Sequence, residues 1–178
     1  LLPVPRVFFN RIQLQYLRHR LTMNVGDKIP EILGIDQNGK EIKASDFRGR
    51  KLILYSYPKA NTSGCTAEAC SLQAHKAELE AKGYAIVGVS KDKQEAQAKF
   101  AEKFGLEFPL IADTSTELLQ SLGCWGEKVA CGHRTIGIIR TTYLVNEEGI
   151  IERIFTSKEI KKYKNDMFML LKESHYII

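Results

Sequence analysis

The amino-acid sequence predicts an α/β fold, with a mixed central sheet, helices on both faces of the sheet and an N-terminal β-hairpin. Three observations lead to this prediction. Short apolar runs alternate with segments of helical spacing after residue 50, an Asn38-Gly39 pair separates two extended runs near the start, and a second pair of extended runs lies near the end. Strands that alternate with helices are usually joined by parallel crossovers, whereas hairpins bring in antiparallel strands. Together they predict a mixed sheet.

Seven segments have the composition of strands. The Asn38-Gly39 pair is a typical hairpin turn, and residues 146–149 form a four-residue connection between two later strands. The runs KLILYSY and YAIVGVS are short and apolar throughout, which is typical of strands buried on both faces. The predicted strands are residues 31–35, 40–44, 51–57, 84–90, 108–112, 141–145 and 150–155.

Four segments have apolar residues at helical spacing and recognisable ends. Two of them are followed by Gly83 and Gly105, and glycine is favoured just beyond a helix C-terminus. Three of them begin with Glu three positions after Asp or Thr, which is the arrangement of a capping box. These pairs are Asp92 with Glu95, Thr114 with Glu117, and Thr156 with Glu159. The predicted helices are residues 66–82, residues 93–104, one from the Thr114 cap through residue 122, and a last one from the Thr156 cap through residue 171.

The net charge is concentrated outside the body of the chain. The 178 residues include 26 Lys and Arg against 21 Asp and Glu, a formal net charge of +5. Residues 1–22 hold four arginines and no acid, which leaves residues 23–178 with 22 basic against 21 acidic side chains, or +1. A near-neutral body argues against a nucleic-acid function based on bulk charge. No apolar run approaches the ~20 residues of a membrane-spanning helix.

Residues 1–22 are predicted to lie outside a single compact domain formed by residues 23–178. Three interpretations of this segment, which is rich in Arg and aromatic residues, stay open. Met23 begins a run, MNVGDKIPE, that resembles the opening of a domain, so the segment fits a start codon assigned too far upstream. It also resembles a mitochondrial-type presequence, although it contains no serine, and residues 11–21 could form a short surface helix.

The segment YPKANTSGCTAEAC, residues 57–70, is the one best suited to chemistry. It follows a buried strand and opens a helix, so Cys65 is expected at or near the first helical turn, at the sheet edge where α/β proteins build sites. Unpaired N–H groups and the helix dipole favour an anion there, and the thiolate is the nucleophilic form of cysteine. Thr62 adds a hydroxyl three residues earlier. The alternative is a buried structural cysteine.

Pro58, Thr62 and Cys65 have the spacing Pro-x-x-x-Thr-x-x-Cys, which resembles the motif of the peroxiredoxins. The wider chain is similar to the peroxiredoxin Q, or bacterioferritin comigratory protein, subfamily. Ser63 and Ala60 depart from the residues that are usual at those positions. The further matches are Glu68-Ala-Cys70, Gly88-Val-Ser90, Phe108-Pro-Leu110, Asp113, Gly126-Glu-Lys128 and residues 137–143.

The resemblance implies a thioredoxin-like fold and a thiol peroxidase that reduces hydrogen peroxide and organic hydroperoxides without a metal or an organic cofactor. Cys65 would be the peroxidatic cysteine, which is oxidised to a sulfenic acid. Thr62 would hydrogen-bond the peroxide, Pro58 would shield the sulfenate, and Arg140 would supply a cation. Backbone N–H groups near Gly64 and Cys65 would hold the developing negative charge. Without the resemblance, Arg140 is better interpreted as a solvated charge at a strand end.

The resemblance also makes Cys70 the candidate resolving cysteine, which would form a disulfide with Cys65 that thioredoxin or a similar dithiol reduces. Five residues of α-helix turn through about 500°, so the two Cα atoms would lie about 8–9 Å apart. A disulfide usually needs ~4.4–6.8 Å. We therefore expect the first turns of residues 66–70 to unwind on oxidation. The alternative for Cys70 is a small buried residue that faces the sheet.

The other two cysteines, Cys124 and Cys131, are not expected to hold a metal. They are seven residues apart with only His133 nearby, and they lack the paired close spacings of a zinc site. We expect Cys124 to pack among apolar residues and Cys131 to lie in a loop. A second disulfide, or a reserve resolving role for either thiol, stays open.

Two other functions compete with the peroxidase. A thioredoxin-like disulfide reductase is disfavoured because the chain has no Cys-x-x-Cys pair. A redox-regulated binding protein could use the basic residues 1–22 on an anionic surface. The expected partners are a hydroperoxide and a dithiol reductant, with no nucleic acid and no membrane, and the chain is expected to be a monomer or a weak dimer. Because catalytic thiols need reduced partners, a cytoplasmic location is predicted.

Overall fold

A computed structural model of the chain describes residues 22–177. Residues 1–21 lie outside the described residues. The interpretations of residues 1–22, including the short helix at residues 11–21, therefore also lie outside them. The described strands are β1 Ile32–Ile35, β2 Glu41–Lys43, β3 Lys51–Ser56, β4 Tyr84–Ser90, β5 Leu110–Ala112, β6 Trp125–Ala130, β7 His133–Ile138, β8 Thr141–Val145 and β9 Ile151–Phe155. The described helices are α1 Ser63–Ala74, α2 Lys76–Ala81, α3 Gln94–Phe104, α4 Glu117–Ser121, α5 Ser157–Lys162 and α6 Met167–Glu173, with a 3₁₀ helix at Ala44–Phe47.

Five of these strands form the central sheet, in the order β5-β4-β3-β8-β9. β4 runs parallel to β3 and β5, whereas β8 runs antiparallel to β3 and β9, so the predicted mixed sheet is confirmed. β1 and β2 form the predicted N-terminal hairpin. Its turn is held by the Asp36 carboxylate, which accepts hydrogen bonds from the backbone N–H groups of Asn38 and Lys40, each 2.9 Å long.

The central sheet is buried on both faces. Ile53 and Tyr55 of β3 pack on one side in a core that includes residues of α1, α2, α3, α5 and α6. Leu52 and Leu54 pack on the other side with the β1–β2 hairpin and α4. Successive side chains of a strand point to opposite faces, so the unbroken apolar run of β3 serves both cores. This double burial holds the carboxyl end of β3, and the loop that leaves it, in a fixed place.

Two of the predicted helices are each divided into two. Residues 66–82 fall into α1 and α2, with His75 between them in a non-helical conformation and its ring stacked on Phe168, centroids 3.6 Å apart. The last predicted helix becomes α5 and α6, because Lys164 and Asn165 take up positive φ between them. Residues in the left-handed conformation end a helix. The apolar spacing of the sequence continues across both breaks, so it predicted a single helix in each case. No helix within residues 22–177 has the length and apolar composition needed to cross a membrane.

Only one of the three predicted capping boxes forms. The box at Thr156 is present and is confirmed. The boxes predicted at Asp92 and Thr114 are wrong, because the residues that precede those helices are Lys93 and Thr116, and neither makes a side-chain cap bond. The Asp92 carboxylate instead accepts a 2.8 Å hydrogen bond from the backbone N–H of a distant loop residue, Ala60. A tertiary partner has replaced the local one.

The sequence analysis missed two structural elements, the 3₁₀ helix at Ala44–Phe47 and the antiparallel hairpin formed by β6 and β7. Cys124 precedes it and is fully buried in the apolar core, with its Sγ 3.4 Å from the Tyr143 hydroxyl. Cys131 is exposed in its turn, as expected for a loop residue. Within residues 22–177, no group of three or more His, Cys, Asp or Glu side chains is placed to hold a metal ion.

Candidate active site

Cys65 lies in the first turn of α1, just beyond the carboxyl end of β3, as predicted. Thr62 is the extended residue that precedes the helix, and the first backbone bond of the helix runs from the Thr66 N–H to the Thr62 carbonyl, 2.8 Å. The N–H groups of the three residues before Thr66 have no partner in a regular helix. They give the start of α1 a partial positive charge, which favours a negatively charged sulfur at Cys65.

Arg140 lies beside this thiol, with its Nη2 3.0 Å from Cys65 Sγ. The pairing of β3 with β8 brings these distant residues together, because Ser56 lies opposite Thr141. The Ser56 hydroxyl donates to the Ile139 carbonyl and accepts from the Thr141 N–H, so the chain is held to β3 on both sides of Arg140. Arg140 directly precedes β8, and at 8% exposure it is not a solvated charge.

Glu68, a buried carboxylate that the sequence analysis did not assign to the site, holds the other side of the guanidinium. It is fully buried one helical turn after Cys65, and it forms an ion pair and hydrogen bond with Arg140 Nη1. The Thr142 hydroxyl lies 3.5 Å from Glu68 Oε1. Arg140 therefore uses one nitrogen for the carboxylate and another for the thiol, and its planar fork fixes the direction of both contacts.

The environment of Glu68 changes its acidity. Burial raises the pKa of the Glu68 carboxyl from 4.5 to about 7, although the adjacent Arg140 guanidinium works in the opposite direction. A carboxyl group with this pKa is partly protonated at neutral pH in the folded protein. The charge that faces Arg140 therefore depends on pH.

We expect the free energy of unfolding to fall as the pH rises from 5 to 8. The folded state keeps a proton on Glu68 up to a pKa of about 7, whereas the unfolded state releases it near 4.5. The stability that this raised pKa contributes is complete below 4.5 and is lost as the pH rises through 7, a change on the order of 1–3 kcal/mol. Urea unfolding at a series of pH values measures it.

The matched control for this pH dependence is Glu68→Gln, because the amide has the same shape and does not titrate. The variant should show a flatter dependence of unfolding free energy on pH between 5 and 8. If wild type and variant have the same slope, another group causes the dependence.

Gly64 leaves room for the guanidinium at the start of α1. A Cβ at this position would lie 3.4 Å from Arg140 Nη2 and 3.1 Å from Asn165 Nδ2, and the second distance is shorter than most real Cβ contacts. Asn165, from the connection between α5 and α6, is a further neighbour that the sequence analysis missed. Its Oδ1 is buried without a hydrogen-bond partner among the described residues. Gly64 therefore contributes space as well as a backbone N–H.

Thr62 and Pro58 lie on the loop that leads from β3 to α1. Among the hydrogen bonds of the described residues, the Thr62 hydroxyl donates to the Lys59 carbonyl, 2.9 Å, and not to Cys65. A hydroxyl has one proton and two lone pairs, so this bond leaves Thr62 able to accept a hydrogen bond. Pro58 is half-buried and lines a groove on the outer side of the loop. The structure thus brings Cys65 directly to Arg140, and Thr62 is exposed at the start of α1.

The loop is tied to neighbouring elements at two points. The Ala60 N–H donates to the Asp92 carboxylate, 2.8 Å, in the connection between β4 and α3. Asn61, which has a positive φ of 60°, accepts a 3.0 Å hydrogen bond from Lys103 Nζ near the end of α3. Asparagine tolerates this left-handed conformation better than most residues. The loop is therefore positioned by contacts that no local pattern reveals.

Cys65 and Cys70 lie on one unbroken helix, and both thiols are free. Cys70 is partly buried, and burial raises its pKa. Directly after it, the Ser71 hydroxyl donates to the Asp166 carboxylate, 2.6 Å, and accepts from the Phe168 N–H, 3.2 Å. These bonds attach α1 to α6 from residue 71 onward. The part of α1 that carries both cysteines lies before this attachment.

Together, a thiol at a helix N-terminus and a buried arginine at the edge of a mixed sheet define a thiol-dependent redox protein with a thioredoxin-like fold. The comparisons with known proteins agree with this class. The chain belongs to the AhpC/TSA family, which matches residues 25–154.

Relatives and solved structures narrow the likeness to one subfamily. The chain is 39% identical over 141 residues to a putative peroxiredoxin bcp of Haemophilus influenzae, covering 79% of this chain and 91% of the relative. It is 36% identical over 151 residues to peroxiredoxin Bcp of Escherichia coli, covering 85% and 97%. A cysteine-to-serine variant of PrxQ from Xylella fastidiosa superimposes with a TM-score of 0.73 at 26% identity, covering 85% and 97%.

One further solved structure carries a description of activity. It is a trapped intermediate or ligand complex of the bacterioferritin comigratory protein of Xanthomonas campestris, described by its alkyl peroxide reduction activity. It superimposes with a TM-score of 0.70 at 27% identity, covering 83% of this chain and 99% of that one. The resemblance noted in the sequence to peroxiredoxin Q and bacterioferritin comigratory protein is confirmed.

Proposed function

We propose that this protein is a thiol peroxidase that reduces hydrogen peroxide and organic hydroperoxides through Cys65. The observation that carries the proposal is the 3.0 Å contact between Arg140 Nη2 and Cys65 Sγ at the N-terminus of α1. A buried cation and a helix N-terminus both favour the thiolate, which is the nucleophilic form. The alkyl peroxide reduction described for the Xanthomonas campestris relative supports the same chemistry.

The first step is attack of the Cys65 sulfur on one oxygen of the O–O bond. An S–O bond forms, the O–O bond breaks, and the sulfur becomes a sulfenic acid. The leaving oxygen departs as alkoxide or hydroxide and takes up a proton to become an alcohol or water. The Arg140 guanidinium and the free N–H groups at Gly64 and Cys65 stabilise the negative charge that moves from sulfur to oxygen. In the proposed mechanism, Thr62 accepts a hydrogen bond from the peroxide, and Pro58 shields the sulfenic acid.

The second step is resolution by Cys70. Its thiol attacks the Cys65 sulfenic acid, an S–S bond forms and water leaves. In the reduced protein both cysteines lie on an intact α1, in which residues five apart are too distant for a disulfide. The attachment of Ser71 to α6 holds the remainder of the helix. Resolution therefore requires residues 65–70 to unwind while the chain from residue 71 onward stays in place.

The cycle closes when an external dithiol reduces the disulfide by thiol–disulfide exchange. The peroxide takes two electrons and the dithiol supplies two, so the reaction balances without a metal or an organic cofactor. We assign thioredoxin or a similar dithiol as the reductant, a monomer or weak dimer as the working form, and a reducing compartment, the cytoplasm, as the location, because the thiols must be recharged.

A peroxide assay coupled to thioredoxin and thioredoxin reductase tests the proposed function. Cys70→Ser should consume about one peroxide per chain quickly and then turn over slowly, because its sulfenic acid forms normally but has no resolving partner. Stopped-flow measurement of the first oxidation, followed by steady-state rates, separates the two steps. Cys131→Ser is the matched control, since Cys131 is exposed and lies in the β6–β7 turn. Steady turnover at the wild-type rate in Cys70→Ser would assign resolution to another thiol.

Amide hydrogen exchange on the reduced and oxidised protein tests the unwinding. We expect protection to fall over residues 65–70 in the disulfide form and to change little beyond Ser71, which remains bonded to α6. Unchanged protection over residues 65–72 in a protein with a proven Cys65–Cys70 disulfide would contradict the unwinding.

A further inference from the structure

A groove of about 690 Å³ lies on the outer side of the active-site loop. One wall is the loop itself, at Pro58 and Lys59, and the other is the connection from β4 to α3 with the first turns of α3. Four lysines line it, and we name them the basic rim. They are Lys59, Lys91, Lys93 and Lys99.

The basic rim carries an excess of positive charge. All four lysines are exposed, and none forms an ion pair with a residue of the described range 22–177. Two acids also line the groove, Asp92 and Glu95. The Asp92 carboxylate accepts hydrogen bonds from the Ala60 N–H and the Ser90 hydroxyl and keeps its charge, and Glu95 is exposed. The groove therefore has four basic against two acidic side chains, an excess of +2 that an acidic partner would complement.

The basic rim begins close to the reacting sulfur. The Lys59 carbonyl accepts a 2.9 Å hydrogen bond from the Thr62 hydroxyl, and Thr62 stands three residues before Cys65 at the start of α1. Lys59 therefore lies six residues before Cys65 and is hydrogen-bonded to the residue that directly precedes α1. Lys103, one turn after Lys99 on α3, bonds the same loop at Asn61. A protein that reaches the oxidised Cys65–Cys70 segment from this side must therefore pass over the rim.

We propose that the basic rim is the docking surface for the protein that reduces the Cys65–Cys70 disulfide, and that this partner carries acidic residues around its dithiol. The inference rests on the proposed function. In the exchange, one partner thiolate attacks a sulfur of the disulfide to form a mixed disulfide. The other protein cysteine leaves as a thiol in this step. The second partner thiol then attacks the mixed disulfide, releases the remaining protein thiol and closes the partner's own disulfide. Redox encounters bury little surface, so charge complementarity contributes mainly to the rate of association.

The test compares two double variants that lose the same charge. Lys93→Gln with Lys99→Gln removes half of the basic rim, and Lys161→Gln with Lys172→Gln removes two exposed lysines from α5 and α6. The probes are a thioredoxin of net negative charge and dithiothreitol, which is small and uncharged. We expect the rim variant to lose about 5- to 10-fold in kcat/KM for thioredoxin at low ionic strength, a size typical of electrostatic steering. The loss should shrink at 0.5 M salt and be absent with dithiothreitol.

Three outcomes would overturn the docking proposal. The first is an equal loss in both double variants, and the second is an equal loss with dithiothreitol. The third is an unchanged kcat/KM for thioredoxin in the rim variant. If the rim variant also has a raised KM for a carboxylate-bearing hydroperoxide but not for cumene hydroperoxide, the groove is a site for small anions. The burst of Cys65 oxidation by hydrogen peroxide without any reductant tests the proposed function separately. A normal burst with no rim effect rejects the docking surface alone, and no burst in the wild type rejects the peroxidase.

Discussion

Replacing Cys65 by Ser is expected to abolish peroxide turnover, with a loss on the order of 10³-fold or more in kcat/KM. A serine hydroxyl has nearly the same size but stays protonated beside Arg140, and it does not attack an O–O bond as a thiolate does. The coupled thioredoxin assay measures the loss, and mass spectrometry after hydrogen peroxide treatment should find no sulfenic acid at position 65.

The fold of the Cys65→Ser variant should remain intact, so the loss can be assigned to chemistry. Cys65 is 1% exposed and contacts the Arg140 guanidinium, which a hydroxyl can also satisfy. Cys124→Ser is a useful comparison, because it places the same substitution in a fully buried core position away from α1. Substantial turnover in Cys65→Ser, together with its loss in Cys124→Ser, would move the nucleophile to Cys124 and contradict the proposed site.

Replacing Arg140 by Gln is expected to have two effects of different origin. The cation next to Cys65 is lost, which should lower kcat/KM for peroxide by about 10²–10³-fold, the usual effect of removing a group that stabilises transition-state charge. Glu68 is left buried without the cation that favours its ionised form, so it stays protonated and loses a hydrogen-bond partner, which should lower the free energy of unfolding by roughly 1–3 kcal/mol. Stopped-flow oxidation measures the first effect and urea unfolding measures the second.

The double variant Arg140→Gln with Glu68→Gln separates the two effects. It removes both charges of the buried pair, so much of the stability should return, whereas peroxide reactivity should stay low because no cation faces Cys65. Glu68→Gln alone leaves Arg140 in place, and it should retain most of the peroxide reactivity. Full recovery of activity in the double variant would show that Arg140 acts only by stabilising the fold.

The elements that were predicted well from the sequence have buried residues and a pattern contained in a few consecutive positions. The side chains in the apolar runs of β3 and β4 are all buried only when the strand is covered on both faces. Both strands begin and end at almost the predicted residues. The β6–β7 hairpin was missed because only its end packs against the core, at Trp125 and Ile138, and most of its other side chains are exposed and leave no apolar pattern. Val129 and Ile136 in its strands are 71% and 72% exposed.

The predicted capping boxes show where local reasoning stops. The boxes at Thr156 and at Asp92 have similar sequences, and only the first forms. Asp92 is taken by the Ala60 N–H of the active-site loop, 32 residues earlier in the chain. When a side chain can bond to a neighbour in sequence or to a distant residue, the tertiary fold decides which bond forms. A pattern of a few consecutive residues does not reveal the distant partner.

A short stretch of sequence was enough to predict a thiol at the junction of a buried strand and a helix, because that placement depends on about a dozen neighbouring residues, and the resemblance of residues 58–65 to a known motif added the peroxidase chemistry. The surroundings of that thiol depend on the tertiary structure. Arg140 reaches Cys65 through the register of β3 against β8, and Glu68 became part of the site because α1 turns it into the core beside the same guanidinium. The Arg140, Cys65 and Glu68 side chains meet through contacts between residues about 70 positions apart. Sheet pairing and burial set the geometry of these contacts, and no pattern of neighbouring residues encodes it.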